Sequence, residues 1–424
     1  MLILRSEMNG TRVVAIDELA GHGARGRNGR PARFIDDPAQ AEAILHASAS
    51  DRGRLLREFF GGGILFSDGE HWRKRRRIIQ PAFAPRDVDH HLADVTAAVP
   101  HLVGRFETAA RLDRPLAIND EALRFTMRVL YQGVFGVPFS DDDDDDAISM
   151  VTDYFDAVGG MLAATIFQSQ RFDGSSMARI RTAEAAMDAE IDRLVEARSG
   201  LGVDATDPRL DALGRIISGI DDETGVRDEA RALMLAGAET TSNALGFLLL
   251  LLARHPDVRN RLEEEIDDRT RDDAPFLEAV ILETLRLFPT VWFQTREMTI
   301  GCELGGLQFE KDDLAFVTTA LIHRRPDLWP DPDAFRPDRF LGGDDGPWRP
   351  PHRYAFLPFG GGRHLCLGQH LAMHEIRLTT KAIIERFRVD VYESAPAPAA
   401  EIGIVLKPAR DLRFKISERL GRDR

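Results

Sequence analysis

A mainly α-helical fold with a minor β-sheet portion is what this sequence predicts, on three observations. Apolar residues recur at helical spacing over long stretches that Pro and Gly punctuate. Alternating stretches are few, and they sit near the two ends and around residues 296–320. One helical pattern continues from Asp228 to about Arg254, which at about 1.5 Å per residue gives a rod of roughly 40 Å, long enough to cross the molecule.

Taken in order, Val13 to Ile16 and Ala32 to Ile35 read as short strands, and Asp37-Pro38 opens a helix running to about His46. A further helix begins near Glu70 and stops before Pro81. The like-charged run Asp141 to Asp146 reads as a solvated loop before the next helix. Pro275 precedes a helix over Phe276 to Phe288, which Pro289 terminates. Between Thr299 and Val317, Gly305-Gly306 splits two extended runs into a hairpin. Pro-rich coil from Pro326 to Pro358 follows, and so much irregular chain in a compact protein usually serves a site. With no internal repeat and no linker, residues 1–424 are expected to form one domain, a β-containing amino-terminal portion of about 1–50 and a helical body of about 51–424.

A net charge of −14 and a pI near 5.4 argue against nucleic acid or an anionic membrane as partners of the whole surface. Two cysteines, Cys302 and Cys366, cannot build a disulfide framework or a four-cysteine metal site. Residues 1–7 lack the apolar stretch of a secretory signal or membrane anchor, and the apolar run Leu245 to Ala253 reads as buried core helix. A cytoplasmic, monomeric protein is therefore expected.

The densest chemical signal is Phe359-Gly360-Gly361-Gly362-Arg363-His364-Leu365-Cys366-Leu367-Gly368, which leads into a helix carrying Ala372 and Glu375. Three glycines let backbone turn tightly and lie against a flat ligand, while Cys366 sits where amide dipoles and neighbouring cations favour a thiolate. Such a thiolate can be the axial ligand of haem iron. By itself, a lone cysteine in a Gly-rich turn reads first as a buried structural residue.

The full spacing F-x-x-G-x-[HR]-x-C-x-G resembles the signature of the cytochrome P450 family. That resemblance extends over most of the chain, with further motifs in the expected order. Ala236-Gly237-Ala238-Glu239-Thr240-Thr241, on the long helix, is similar to the family's oxygen-activation sequence. Small residues at Ala236 and Gly237 let a macrocycle and dioxygen approach, Thr240 can bond a carbonyl one turn back and open the helix ladder, and Glu239 supplies a carboxylate for proton relay. An acid and a hydroxyl side by side are common on any helix, and it is the context that singles out this pair.

Glu283 and Arg286 place opposite charges three apart on one helical face, a spacing that also occurs at Glu70, Glu121, Glu190 and Glu385. Position selects Glu283, and the resemblance implies a structural network of Glu283, Arg286 and Arg339 bracing the coil under the haem. Trp72 and Arg76, four apart, resemble the family's propionate-binding pair, with His364 and Arg296 as further contacts; indole and guanidinium are both donors, which suits a carboxylate. The cofactor implied is haem b held by Cys366, with Phe359, Gly360 and Gly368 shaping its bed and dioxygen as co-substrate. No flavin or iron-sulfur module is encoded, so electrons are expected from a separate carrier, a ferredoxin or flavodoxin with its reductase. The run Arg73-Lys74-Arg75-Arg76-Arg77, with Arg363 and Arg377, would attract an acidic carrier or form a solvated face. Cys302 lacks the loop context and reads as a packing residue.

The implied activity is insertion of one oxygen atom into a hydrophobic small molecule. A peroxygenase or isomerase on the same fold, or a haem-thiolate sensor, are the competing readings, and the intact Glu239-Thr240 pair argues against the first two. Substrate is expected against Phe59 to Leu65, Met161 to Phe167, Leu235-Ala236, Val291, Trp292, Phe293 and Ile404-Val405, with Leu65 the first segment's contact. One departure from the family stands out: only about 30 residues precede Phe34, so the first helix and part of the first sheet are expected to be missing or remodelled.

Overall fold

The computed structural model describes residues 3–6, 12–15, 29–54, 57–84, 88–140, 144–167, 174–207, 209–268, 270, 273–342, 348–392 and 400–419. Helices dominate and strands gather in small sheets, as the periodicity predicts. The first sheet carries β1 (Ile3–Ser6) and β2 (Arg12–Ala15) as an antiparallel pair; the second carries β3 (Arg33–Ile35) and β4 (Ser50–Asp51). No pattern in the sequence marks strand β1, so the described residues before Phe34 contribute more sheet than expected. Ile16 and half of the Asp141 to Asp146 run lie outside the described residues.

Helix α1 (Pro38–His46) starts because Asp37 accepts hydrogen bonds from the N–H groups of Ala39 and Gln40, with Pro38 in the first turn. Helix α2 (Gly69–Ile79) is capped by Asp68. Then come α3 (Val88–Arg111), α4 (Ile118–Val129) with a π-turn over Leu130–Val134, α5 (Asp144–Phe167) and α6 (Gly174–Gly200). The long helix α7 (Glu223–Arg254) begins five residues earlier than its apolar pattern predicts. Asp222 is its cap and accepts from the Gly225 N–H; a side chain at Gly225 would collide with Arg75, its Cβ 2.4 Å from Nη2. That crowding puts a helix-breaking residue inside the first turn and hides the start.

Helix α7 packs on α4 and is buried along most of its apolar stretch, so its length and hydropathy belong to a core helix. Helices α8 (Pro256–Asp267) and α9 (Pro275–Leu287) open on prolines that need no donor there. Strands β5 (Gln294–Met298) and β8 (Leu314–Val317) complete the second sheet, in the order β3-β8-β5-β4. Between them β6 (Cys302–Leu304) and β7 (Leu307–Phe309) form the expected hairpin, with Gly305 and Gly306 at φ +57° and +77° in a turn that requires left-handed backbone. Helix α10 (Gln369–Arg386) follows the cysteine loop, and β9 (Phe387–Val391), β10 (Ala400–Ile402), β11 (Leu406–Pro408) and β12 (Phe414–Glu418) close the chain. Strand β10 lies beside β1 in parallel, so the two ends of the sequence share one sheet.

Candidate active site

The glycine run before the cysteine is dictated by close packing. Gly360 and Gly362 have φ of +76° and +68°; a Cβ on Gly361 would lie 2.7 Å from the Tyr354 ring, and one on Gly362 2.7 Å from the Leu45 carbonyl oxygen. The loop closes on itself through Gly360 N–H to Leu357 O (3.0 Å) and Cys366 N–H to Phe359 O (3.1 Å). Cys366 then stands three residues before α10. It is accessible to solvent, yet enough protein surrounds its thiol for desolvation to act on it. Burial raises the thiol pKa, against the pull of the Gly368 and Gln369 N–H groups, Arg52 and Arg76. The helix start and the cations therefore do not by themselves deliver the thiolate that the sequence leads one to expect; coordination to a metal deprotonates a thiol outright. Cys302 is half-buried in β6 among apolar neighbours.

A second surface opens on α7. Most of the helix from Ala232 onward is buried, but Ala236 is exposed and Gly237 and Thr240 are half-buried, an interruption one turn long. Thr240 Oγ1 donates to Ala236 O at 2.7 Å, while Thr126 Oγ1 and Ser242 Oγ both donate to Ala238 O. The helix nevertheless runs unbroken, because these hydroxyls use second lone pairs and leave the ladder closed. Gly237 is small for an additional reason: a Cβ there would sit 2.8 Å from Leu130 of the π-turn. Glu239 is buried, and burial pushes its carboxyl up to about 7, with Lys407 and Arg410 pulling it down and Asp156 raising it. Asp156 itself pairs with Lys407 (2.8 Å) and with Arg410, joining α5 to the segment around β11.

Third is a concentration of donors. Trp72 is buried, with its ring 4.5 Å from that of His364, and the Arg76 guanidinium lies over it at 5.8 Å while donating to Leu365 O at 2.9 Å. Arg296 is 1% exposed; its Nη1 donates to Thr295 O, and Nη2 is buried without a partner. Burial and the adjacent Arg52 bring its pKa down to about 9, and burial brings Arg52 down to about 10. Both His364 ring nitrogens are buried without a hydrogen bond, Asp68 Oδ1 standing 3.4 Å from Nε2 in poor geometry, and burial pushes this ring down to about 4. Burial raises Asp68, but the nearby His364 ring and bonds from the Gly69 and Arg52 N–H groups outweigh it and hold the carboxyl well below its usual range. Three guanidiniums with an orphaned buried N–H, facing one carboxylate, suit a flat ligand with two carboxylates of its own. Haem fits that donor set. Arg52 is invisible to sequence reasoning because it sits in coil beyond β4, where nothing in the pattern marks it.

Glu283, Arg286 and Arg339 are brought together, and Glu283 and Arg286 are fully buried. Arg286 Nε and Nη2 reach Glu283 at 2.6 and 2.8 Å, and Arg339 Nε reaches it at 3.0 Å. The remaining guanidinium donors bond carbonyls of the coil: Arg286 those of His323, Pro332 and Ala334, Arg339 those of Pro330 and Asp331. Beneath the coil, Trp329, Phe340, Trp348 and Phe356 pack as one aromatic cluster.

The expected substrate contacts divide. Val291 is 41% exposed, and Leu65, Phe293 and Ile404 are half-buried. Trp292 is 3% exposed and its indole N–H donates to Gly403 O at 3.1 Å, so it is a framework strut and not a lining residue. The side chains of Phe59 and of Met161 to Phe167 lie outside what is described. The basic run also divides: Arg75 is buried beside Glu229 at 3.5 Å, Arg377 pairs with Glu278 at 2.6 Å, and of the exposed cations on α2 Arg73 pairs with Glu70 at 2.6 Å, leaving Lys74 and Arg77.

Residues 27–415 match the family model described as Cytochrome P450. Cyclooctat-9-en-7-ol 5-monooxygenase of Streptomyces melanosporofaciens is 29% identical, covering 82% of this chain and 78% of that protein. Cyclooctatin synthase of the same organism is 30% identical, covering 85% and 80%. A crystal structure of a cytochrome P450 superposes with a TM-score of 0.73 at 23% identity, covering 91% of this chain and 89% of the other, and shows the same fold. The matched span takes in the cysteine loop, the long helix and the buried carboxylate network alike, and the chain belongs to the cytochrome P450 family of haem-dependent monooxygenases.

Proposed function

We propose that this oxidoreductase works as a one-domain haem b monooxygenase, with Cys366 as axial ligand, acting on an apolar small molecule with electrons from a separate ferredoxin or flavodoxin. The observation that carries the assignment is an accessible thiol just before α10 flanked by Arg52 and Arg76, beside a buried Arg296 with an orphaned donor. Bound haem supplies dioxygen activation. Trp72, Arg76, Arg296, His364 and Arg52 would hold its carboxylates, and Phe359, Gly360, Gly368, Ala236 and Gly237 would pack against it.

Protons are the business of α7. A carboxyl near 7 gives and takes a proton at neutral pH, which is what Glu239 needs for relay, and Thr240 offers a hydroxyl oxygen one position on. The Asp156, Lys407 and Arg410 cluster leads from Glu239 toward solvent. Val291, Leu65, Phe293 and Ile404 are apolar residues left partly or fully exposed and would face an apolar substrate, in keeping with the alcohol, cyclooctat-9-en-7-ol, for which one relative is named. Exposed Lys74 and Arg77 offer positive charge to an acidic electron carrier, Arg73 beside them being paired with Glu70.

Titrating the ferric protein against cyclic terpenoid alcohols, fatty acids and aromatic compounds, then measuring dioxygen- and reductant-dependent turnover with surrogate carriers, tests this reading. Product formation that needs peroxide alone, or no oxidant at all, would favour the peroxygenase or isomerase instead.

A further inference from the structure

We infer that His323 is a positioning residue for the cysteine loop, coupling helix α9 to Cys366 through its imidazole. The inference deepens the reading of Cys366 as axial ligand and rests on it. His323 follows the short helix Thr319–Ile322 and is fully buried. Its Nδ1 lies 3.2 Å from the backbone carbonyl of Arg286, and its Nε2 lies 2.7 Å from the backbone N of Leu357. A carbonyl only accepts and an amide N–H only donates, so the ring is neutral with its proton on Nδ1 and a bare Nε2. One tautomer satisfies both neighbours.

From Leu357 the connection continues without a gap. Leu357 O accepts from Gly360 N–H, and Phe359 O accepts from Cys366 N–H. Arg286, His323, Leu357, Gly360 and Cys366 thus form one ladder from the buried ion pair to the thiol. The guanidiniums of Arg286 and Arg339 bond coil carbonyls between Pro330 and Ala334 and that of His323 itself, and the contact from this network to Leu357 is the imidazole's. Lysine or arginine could not replace it, since neither accepts a hydrogen bond. Burial, with Arg286 and Arg324 adjacent, brings the ring pKa down to about 3, which keeps the acceptor available at neutral pH.

The test compares His323→Phe, His323→Gln and a core control, Leu249→Ala, in the haem-loaded protein. Phe fills the volume and offers neither bond; Gln keeps an acceptor near the Nε2 position. At urea concentrations that bring the variants to equal fractions folded, the red-shifted ferrous carbonyl band of His323→Phe is expected to decay at least tenfold faster than that of Leu249→Ala. His323→Gln should restore most of its lifetime. Equal decay for His323→Phe and Leu249→Ala overturns the inference. Should His323→Phe fail to fold, ¹⁵N-histidine spectra of the diamagnetic ferrous carbonyl wild type decide: Nδ1–H with bare Nε2 supports it, and Nε2–H overturns it. A red-shifted band that survives Cys366→Ser defeats the axial reading, and this one with it; a band lost in Cys366→Ser but unaffected in His323→Phe defeats this one alone.

Discussion

Glu283 and Arg286 face each other one turn apart on α9 with neither side chain exposed, and the Arg286 guanidinium donates to the Glu283 carboxylate and to three coil carbonyls. Removing one partner of such a pair leaves a buried charge without compensation, typically a loss of about 3–5 kcal/mol. Arg286→Ala is expected to yield little soluble haem-loaded protein, measured as the ratio of Soret to protein absorbance. Recovery of normal holoenzyme with only altered kinetics would remove the structural role.

Cys366→Ser should abolish the red-shifted ferrous carbonyl band, and Cys302→Ser should leave it intact. The opposite pattern would move the axial ligand to the hairpin.

Thr240→Ala is expected to change coupling more than binding. The substrate-induced spectral shift should stay within about twofold, because binding rests on apolar contacts elsewhere. Dioxygen and reductant consumption should continue, with a larger share ending as peroxide or water. Full coupling with the preferred substrate would set the relay aside.

Glu239→Gln should slow turnover by roughly 10²-fold or more, the scale of lost proton transfer, and flatten the pH profile on the side where a group near 7 titrates. An unchanged profile would assign that ionisation elsewhere.

Glu375 on α10 gives a stability prediction. It is 5% exposed, its Oε2 has no partner, and burial pushes it up to about 8. The folded state therefore binds its proton more tightly than the unfolded chain does, so wild-type stability falls as pH rises from near 4.5 and reaches its full deficit above about 8. Glu375→Gln should remove that slope, gaining a few kcal/mol at about pH 9 and almost nothing at about pH 4, as read by urea unfolding at each pH. Parallel pH curves for the two proteins would contradict it.

The elements that carry local signals are legible in the sequence: Asp37 before Pro38 sets the start of α1, paired glycines set the 302–309 hairpin, and Pro275 sets the start of α9. The start of α7 is not, because Gly225 answers to Arg75 from another helix and breaks the local pattern. Site residues within a motif can be named by position, whereas Arg52 and His323 owe their roles to neighbours that only the fold brings near. Trp292 shows the opposite failure: an apolar residue between two lining candidates, which packing turns into a strut.

That strut has a meaning for anyone who would reshape the pocket. Trp292 and Gly403 are 111 positions apart and belong to the two segments that carry Val291, Phe293 and Ile404. The indole bond works beside a backbone bond from Leu406 N–H to Thr290 O at 2.8 Å, so the two segments proposed to face substrate are tied together at two points. On the proposed substrate contacts, library diversity belongs at Val291 and Ile404, whereas randomising Trp292 removes a bond that joins the two segments.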